Sequence, residues 1–136
     1  WQHNMLLSEV STWQGYSFEL LCLLHLGQLK QALGISGIGA DASTWRSNSR
    51  EHPYQIDLLI DRSDRIINLC EMKFSVDRYV IDCDYEERLR SRRSAFVAET
   101  HTRKTPVLTF VTTYGVAPGK HAGVVQKEIL LDQLFV

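Results

Sequence analysis

The chain has 136 residues, enough for one compact domain with a single sizeable core. It is 44% hydrophobic and 23% charged with a net charge of −1, which suits a folded protein and gives no global attraction to nucleic acid or an anionic membrane. No apolar run approaches membrane-spanning length, the opening residues lack a signal-peptide pattern, and Cys22, Cys70 and Cys83 show neither Cys-x-x-Cys spacing nor zinc-like partner histidines, so the expected setting is reduced and cytoplasmic.

Residues 1–14 mix polar and apolar types and are expected to form a short helix or an ordered lead-in. The chain opens on Trp1 without an initiating methionine, which suggests a piece of a longer protein. Ser17 is a candidate cap for a helix starting near Phe18, because Phe18, Leu21, Cys22, Leu26 and Leu29 fall at helical spacing. Gly34 is its expected stop. Residues 34–43 carry three glycines but no phosphate-loop ending and no dinucleotide fingerprint, so they read as turns or a weak strand, with Trp45 ending a short strand.

Residues 55–61 and Ile66–Phe74 read as two strands joined by the polar turn Arg62–Arg65. In the second, Ile67, Leu69, Glu71 and Lys73 share one face, and Ile66, Asn68, Cys70, Met72 and Phe74 share the other. Both faces are largely apolar before the acidic end, which places this strand inside a sheet covered on both sides. Asp82 or Asp84 then caps a helix whose inner face is Tyr85, Leu89 and Phe96, with Glu86 and Arg90 at ion-pair spacing. Its arginines are either a solvated helix face or contacts to a nucleic-acid backbone. Pro106–Thr113 reads as a strand, His121–Leu130 as a last strand, and residues 132–135 as a closing turn. This order predicts an α/β fold: one domain over 1–136, with a central mixed sheet flanked by helices.

Chemistry is expected where the two central strands end. Carboxylates offer hard oxygen ligands to a divalent ion, and a lysine beside them can orient water or offset phosphate charge. Asp57, Glu71 and Lys73 are these residue types, and Glu19 can add a fourth polar group from the packed helix. Taken alone, a Glu-x-Lys pair is more often a surface salt bridge, and a buried ion-pair network is the competing explanation.

These residues carry a resemblance. Gly15-Tyr16-Ser17-Phe18-Glu19, Gln55-Ile56-Asp57-Leu58-Leu59-Ile60-Asp61-Arg62 and Asn68-Leu69-Cys70-Glu71-Met72-Lys73-Phe74 resemble the opening helix, acidic strand and Glu-x-Lys element of the restriction-endonuclease-like, PD-(D/E)xK nuclease superfamily. Tyr85, Leu89 and Phe96, then Thr112-Thr113-Tyr114-Gly115 and Leu131-Asp132-Gln133-Leu134-Phe135, are similar to later elements of one subgroup, the carboxy-terminal domain of prokaryotic AAA-type ATP-binding proteins. Gln55-Ile56 stands where the literal motif has proline before Asp57. The resemblance implies a restriction-endonuclease-like, four-stranded core and metal-dependent hydrolysis of nucleic acid, DNA rather than RNA. It implies Mg2+ or Mn2+ on Asp57, Glu71 and the Met72 backbone carbonyl, with Lys73 acting on water or phosphate and Glu19 assisting. Arg88, Arg92, Arg93, Arg103 and Lys104 are candidate phosphate contacts. An amino-terminal ATPase domain, a second copy of the chain, and a non-catalytic binding or assembly role complete the expectations.

Other side chains have plainer readings. Asp61 and Asp64 are expected in the turn or solvent, and His25 in the core or an interface. Trp45 and Tyr114 read as packing residues and Gln126 as part of the site's rim. His52 is a loop residue that can approach phosphate, whereas His101 and His121 have no convincing metal partner.

Overall fold

The computed structural model describes residues 2–51 and 53–135, except the side chains of 2–8 and of residue 11. His52 therefore lies outside the described residues. In chain order the elements are α1 (Gln2–Leu24), α2 (Leu26–Ala32), β1 (Ala40–Arg46), β2 (Gln55–Arg62), β3 (Ile66–Lys73), α3 (Cys83–Thr100), β4 (Thr105–Thr112) and β5 (Lys127–Leu130). Short 3-10 turns occupy Ala122–Val124 and Leu131–Phe135.

The sheet has five strands in the order β1-β2-β3-β4-β5. β1 to β3 run as an antiparallel meander, and β4 and β5 lie parallel to β3, so the sheet is mixed as expected. The chain returns to parallel β4 through α3, the helical crossover that parallel pairing requires. The five strands are those the chain order predicts, one more than the four-stranded core that the resemblance implies; the glycine-rich stretch feeds β1, which pairs along β2 from Ala40 to Arg46.

Two apolar layers sandwich β3. On one face Cys70 and Met72 join Phe18 and Cys22 of α1, Leu29 of α2, and Leu134. On the other, Ile67 and Leu69 join Leu89 and Phe96 of α3 with Phe110 of β4. The run of buried residues from Ile67 to Met72 is thus the signature of a strand covered on both faces. Burial pushes the Cys22 thiol up to about 12, with the Glu19 charge adding to the effect. Cys22, Cys70 and Cys83 are all free thiols. Among the described residues no helix is long and apolar enough to cross a membrane.

Two local expectations change. Ser17 is inside α1, not at its cap; no proline interrupts residues 2–24, and Gly15 costs only about 1 kcal/mol in a helix interior. The break comes instead at His25, whose Nδ1 lies 2.8 Å from the Leu21 carbonyl and whose ring meets Phe135 edge-on. Gly34 ends α2's turn at φ +76°, a conformation natural to glycine. The final strand is shorter than His121–Leu130, because Ala122–Val124 coil into the 3-10 turn and pairing begins at Lys127.

Candidate functional site

The site is built where β2 and β3 part. Their antiparallel register pairs Asp61 with Ile67 through to Leu58 with Cys70. The ladder stops at that last pair, and Asp57 and Glu71 are the next residues beyond it on their strands. β2 is also bulged at this point. Ser43 to Trp45 on β1 spans two steps, while their partners Leu59 to Ile56 span three. The bulge puts Ile56 and Leu59 on the same α3-side layer, with Leu58 on the α1 side. A bulge re-aims a side chain and sharpens local twist, and this one falls on Asp57.

Glu71 is almost fully buried, and both its oxygens are engaged. Oε1 accepts from the Tyr85 hydroxyl at 2.9 Å, and Oε2 pairs with Arg92 Nη2 at 2.8 Å. Burial, then the Glu71 charge, push the Tyr85 phenol far above its usual range, so it stays a donor. Asp82 fixes Tyr85 in turn: as the cap of α3, its carboxylate accepts the Tyr85 backbone N–H at 2.8 Å. Asp57 is half-buried and accepts from Gln55 Nε2 at 2.7 Å. Arg92 closes this circuit by donating through Nη1 to the Gln55 carbonyl at 3.2 Å.

Lys73 ends β3 over two rings, 5.2 Å from the Tyr85 centroid and 6.0 Å from that of Tyr79. Those contacts hold the ammonium by cation–π attraction. Among the described residues it forms no salt bridge. Glu19 approaches from the opposite layer on α1. Burial first and the Asp57 charge second raise its carboxyl above the usual range, Lys73 opposes the shift and Glu71 adds to it. Asp57, Glu71, Lys73 and Glu19 therefore share one electrostatic neighbourhood. Met72 follows Glu71 on β3, its side chain buried in the α1-side layer.

The basic candidates separate. Arg88 sits 5.3 Å from the Tyr85 ring centroid and, with Arg92, lines a concavity of about 220 Å3 beside the site. Arg93 points to Gln126 at 3.5 Å, and Gln126 also holds the Leu108 backbone N–H at 2.9 Å. Arg103 and Lys104 precede β4 at the opposite end of the sheet, next to Ile66. A strand the length of β3 spans roughly 20 Å, so those two cannot share a phosphate with Lys73. Lys104 instead pairs with Asp61 and donates to the Arg62 carbonyl at 2.7 Å.

The remaining candidates have structural partners. Asp64 is paired with Arg62 at 2.6 Å, which holds its carboxyl below the usual range. His121 meets Glu86 at 2.7 Å, and Glu86 also pairs with Arg90 at 2.9 Å. Trp45 packs edge-on against Phe96, as a packing residue should, whereas the packing role expected of Tyr114 is corrected, because its side chain is exposed. The sequence places Tyr85 on the inner face of α3 and Arg92 among the candidate phosphate contacts, but not their bonds to Glu71 nor that of Gln55 to Asp57. The signal was there for two of them: Tyr85, Leu89 and Arg92 fall at i, i+4 and i+7, one face of α3.

No family model matches the chain, and no curated protein matches it. A crystal structure described as a protein of unknown function, AF1548, is similar in fold with a TM-score of 0.50 at 16% identity, over 77% of this chain. This chain spans 55% of the length of that one. At that identity the likeness concerns the fold, a mixed sheet flanked by helices, and carries no activity.

Proposed function

We propose that this is a restriction-endonuclease-like domain that hydrolyses nucleic-acid phosphodiesters with Mg2+ or Mn2+, DNA in preference to RNA. One observation supports the reading: Asp57 and Glu71 follow directly on the last β2–β3 pair, and together with Lys73 they act on the Glu19 carboxyl. The donor chemistry suits the ion. Among the described residues no group of three or more His, Cys, Asp or Glu is arranged to hold a metal. A Mg2+ ion commonly uses only one or two carboxylates and fills its remaining positions with water and substrate phosphate. Asp57, Glu71 and the Met72 carbonyl would hold it.

A bound divalent ion supplies Lewis-acid stabilisation of the phosphate and lowers the pKa of water. The chain's own residues do the rest. Lys73, held against Tyr79 and Tyr85, offsets charge on the phosphate and orients the attacking water. Glu19, whose carboxyl is raised first by burial and then by the Asp57 charge, assists from α1. Arg88 and Arg92 meet the flanking backbone. The resemblance to ATP-binding proteins makes an attached ATPase domain part of this proposal. A second reading, a non-catalytic binding or assembly domain, is favoured by one feature: both Glu71 oxygens are already satisfied by Tyr85 and Arg92.

Cleavage assays separate the two. With Mg2+ or Mn2+ titrated against linear, branched, single-stranded and duplex DNA and RNA, the intact protein should cleave. Asp57→Ala and Lys73→Ala should each lose about 100-fold or more, the scale of losing one transition-state stabiliser. Cleavage unchanged by both substitutions sinks the site, and no cleavage of any substrate favours the second reading.

A further inference from the structure

The Arg92–Glu71 pair has a use beyond holding the fold. Its side chains are only 17% and 11% exposed, so the pair is largely desolvated. Arg92 touches Glu71 directly, and it reaches Asp57 through Gln55, whose carbonyl it holds and whose amide holds Asp57. One guanidinium thus contacts Glu71 and the backbone of the residue whose side chain, shared with Arg46, bonds Asp57. Arg92 also lines the neighbouring concavity, with Arg88, Tyr54 and Tyr85.

A guanidinium fork fits carboxylate and phosphate oxygens alike. While it stays on Glu71, its positive charge opposes a divalent cation at the same carboxylate. Taking it away without replacement would strand a buried negative charge, which the protein resists. A cation arriving as Arg92 leaves supplies that replacement, and a phosphate in the concavity supplies Arg92 with a new partner.

We propose that this concavity is a phosphodiester subsite that exchanges for Glu71. A nucleic-acid phosphate bound by Arg88 and Arg92 draws Arg92 off the carboxylate, and the divalent cation binds in its place. Nucleic acid and cation then bind with positive cooperativity, each raising the other's affinity by the same factor. The proposal rests on the reading of Asp57 and Glu71 as cation ligands.

Mn2+ binding followed by electron paramagnetic resonance tests it without reference to turnover. The probes are Mn2+ alone and Mn2+ with a phosphorothioate oligothymidylate, which resists cleavage. In the native protein the oligonucleotide should raise Mn2+ affinity about 5-fold or more, the range of ordinary allosteric coupling. Arg92→Gln should bind Mn2+ more tightly without oligonucleotide and lose most of the enhancement. Arg92→Lys, which keeps the charge but not the fork, should fall between the two and serves if Arg92→Gln does not fold. Equal enhancement in native and substituted proteins overturns the exchange. Asp57→Asn separates the two levels. If it abolishes Mn2+ binding while the Arg92 substitutions change nothing, the cation site stands and the exchange fails. If Mn2+ binds Asp57→Asn as it binds the native protein, or binds no form, the cation reading fails and the exchange with it.

Discussion

The two ends of the central strands are both rich in charge, and they use it differently. At the β2–β3 turn two acidic side chains are each paired with a cation. Asp61 pairs with Lys104 and Asp64 with Arg62. Arg62 also reaches the buried Asn68 at 3.2 Å, and Asn68 donates to Thr109 at 2.9 Å across to β4. At the other end Asp57, Glu71 and Glu19 gather around Lys73 and Arg92, and the ammonium lies over tyrosine rings rather than on a carboxylate. Burial first, and then the Asp57 charge, raise the Glu19 carboxyl there. Charge that is matched within the chain secures the turn. Charge that the fold gathers but leaves unbalanced is disposed toward something from outside, which is why perturbed groups cluster at functional sites.

This contrast is broken most directly by exchanging the roles of the two ends. Asn68→Ala leaves Arg62 and Thr109 short of a buried partner and should cost about 2–3 kcal/mol in urea unfolding, with Mn2+-dependent cleavage intact. Lys73→Ala should do the reverse, lowering cleavage about 100-fold or more while leaving the unfolding midpoint nearly unchanged. Parallel losses of stability and activity at both ends would erase the distinction.

A smaller effect follows from Glu19. Its folded-state pKa is raised, so the native protein holds this proton more tightly than the unfolded chain does. Stability from this group is therefore full below its ordinary value of 4.5 and falls as pH rises through the folded value. Glu19→Gln should flatten that part of the stability profile, match the native protein in acid and exceed it slightly at neutral pH. Superimposable profiles would place Glu19 outside the acidic neighbourhood.

Much of this was legible from spacing. Buried runs on both faces of 66–73 announced a central strand, and alternation put Glu71 and Lys73 together. The Asp82 cap and the Glu86–Arg90 pair are local chemistry, visible within a few residues. What was not legible depends on contacts between distant segments. The bulge at Asp57 needs β1 as its partner, and β1 itself has little apolar pattern because most of it is exposed. Spacing offers Arg92 as part of a solvated face or as a phosphate contact, and only the α3 layer shows it turned toward Glu71. Arg103 and Lys104 sit near that run in sequence, and the crossover carries them to the far end of the sheet.

Fe2+ in place of Mn2+, with ascorbate and peroxide, cuts backbone close to a bound ion, and mass spectrometry locates the cuts. The protein provides its own control, because acidic residues stand at both ends of the sheet. Cuts at Asp57 and at residues 71–73, suppressed by excess Mg2+, are the predicted result. Cuts confined to Asp61–Asp64, or scattered without Mg2+ protection, would contradict a cation site at the unbalanced end.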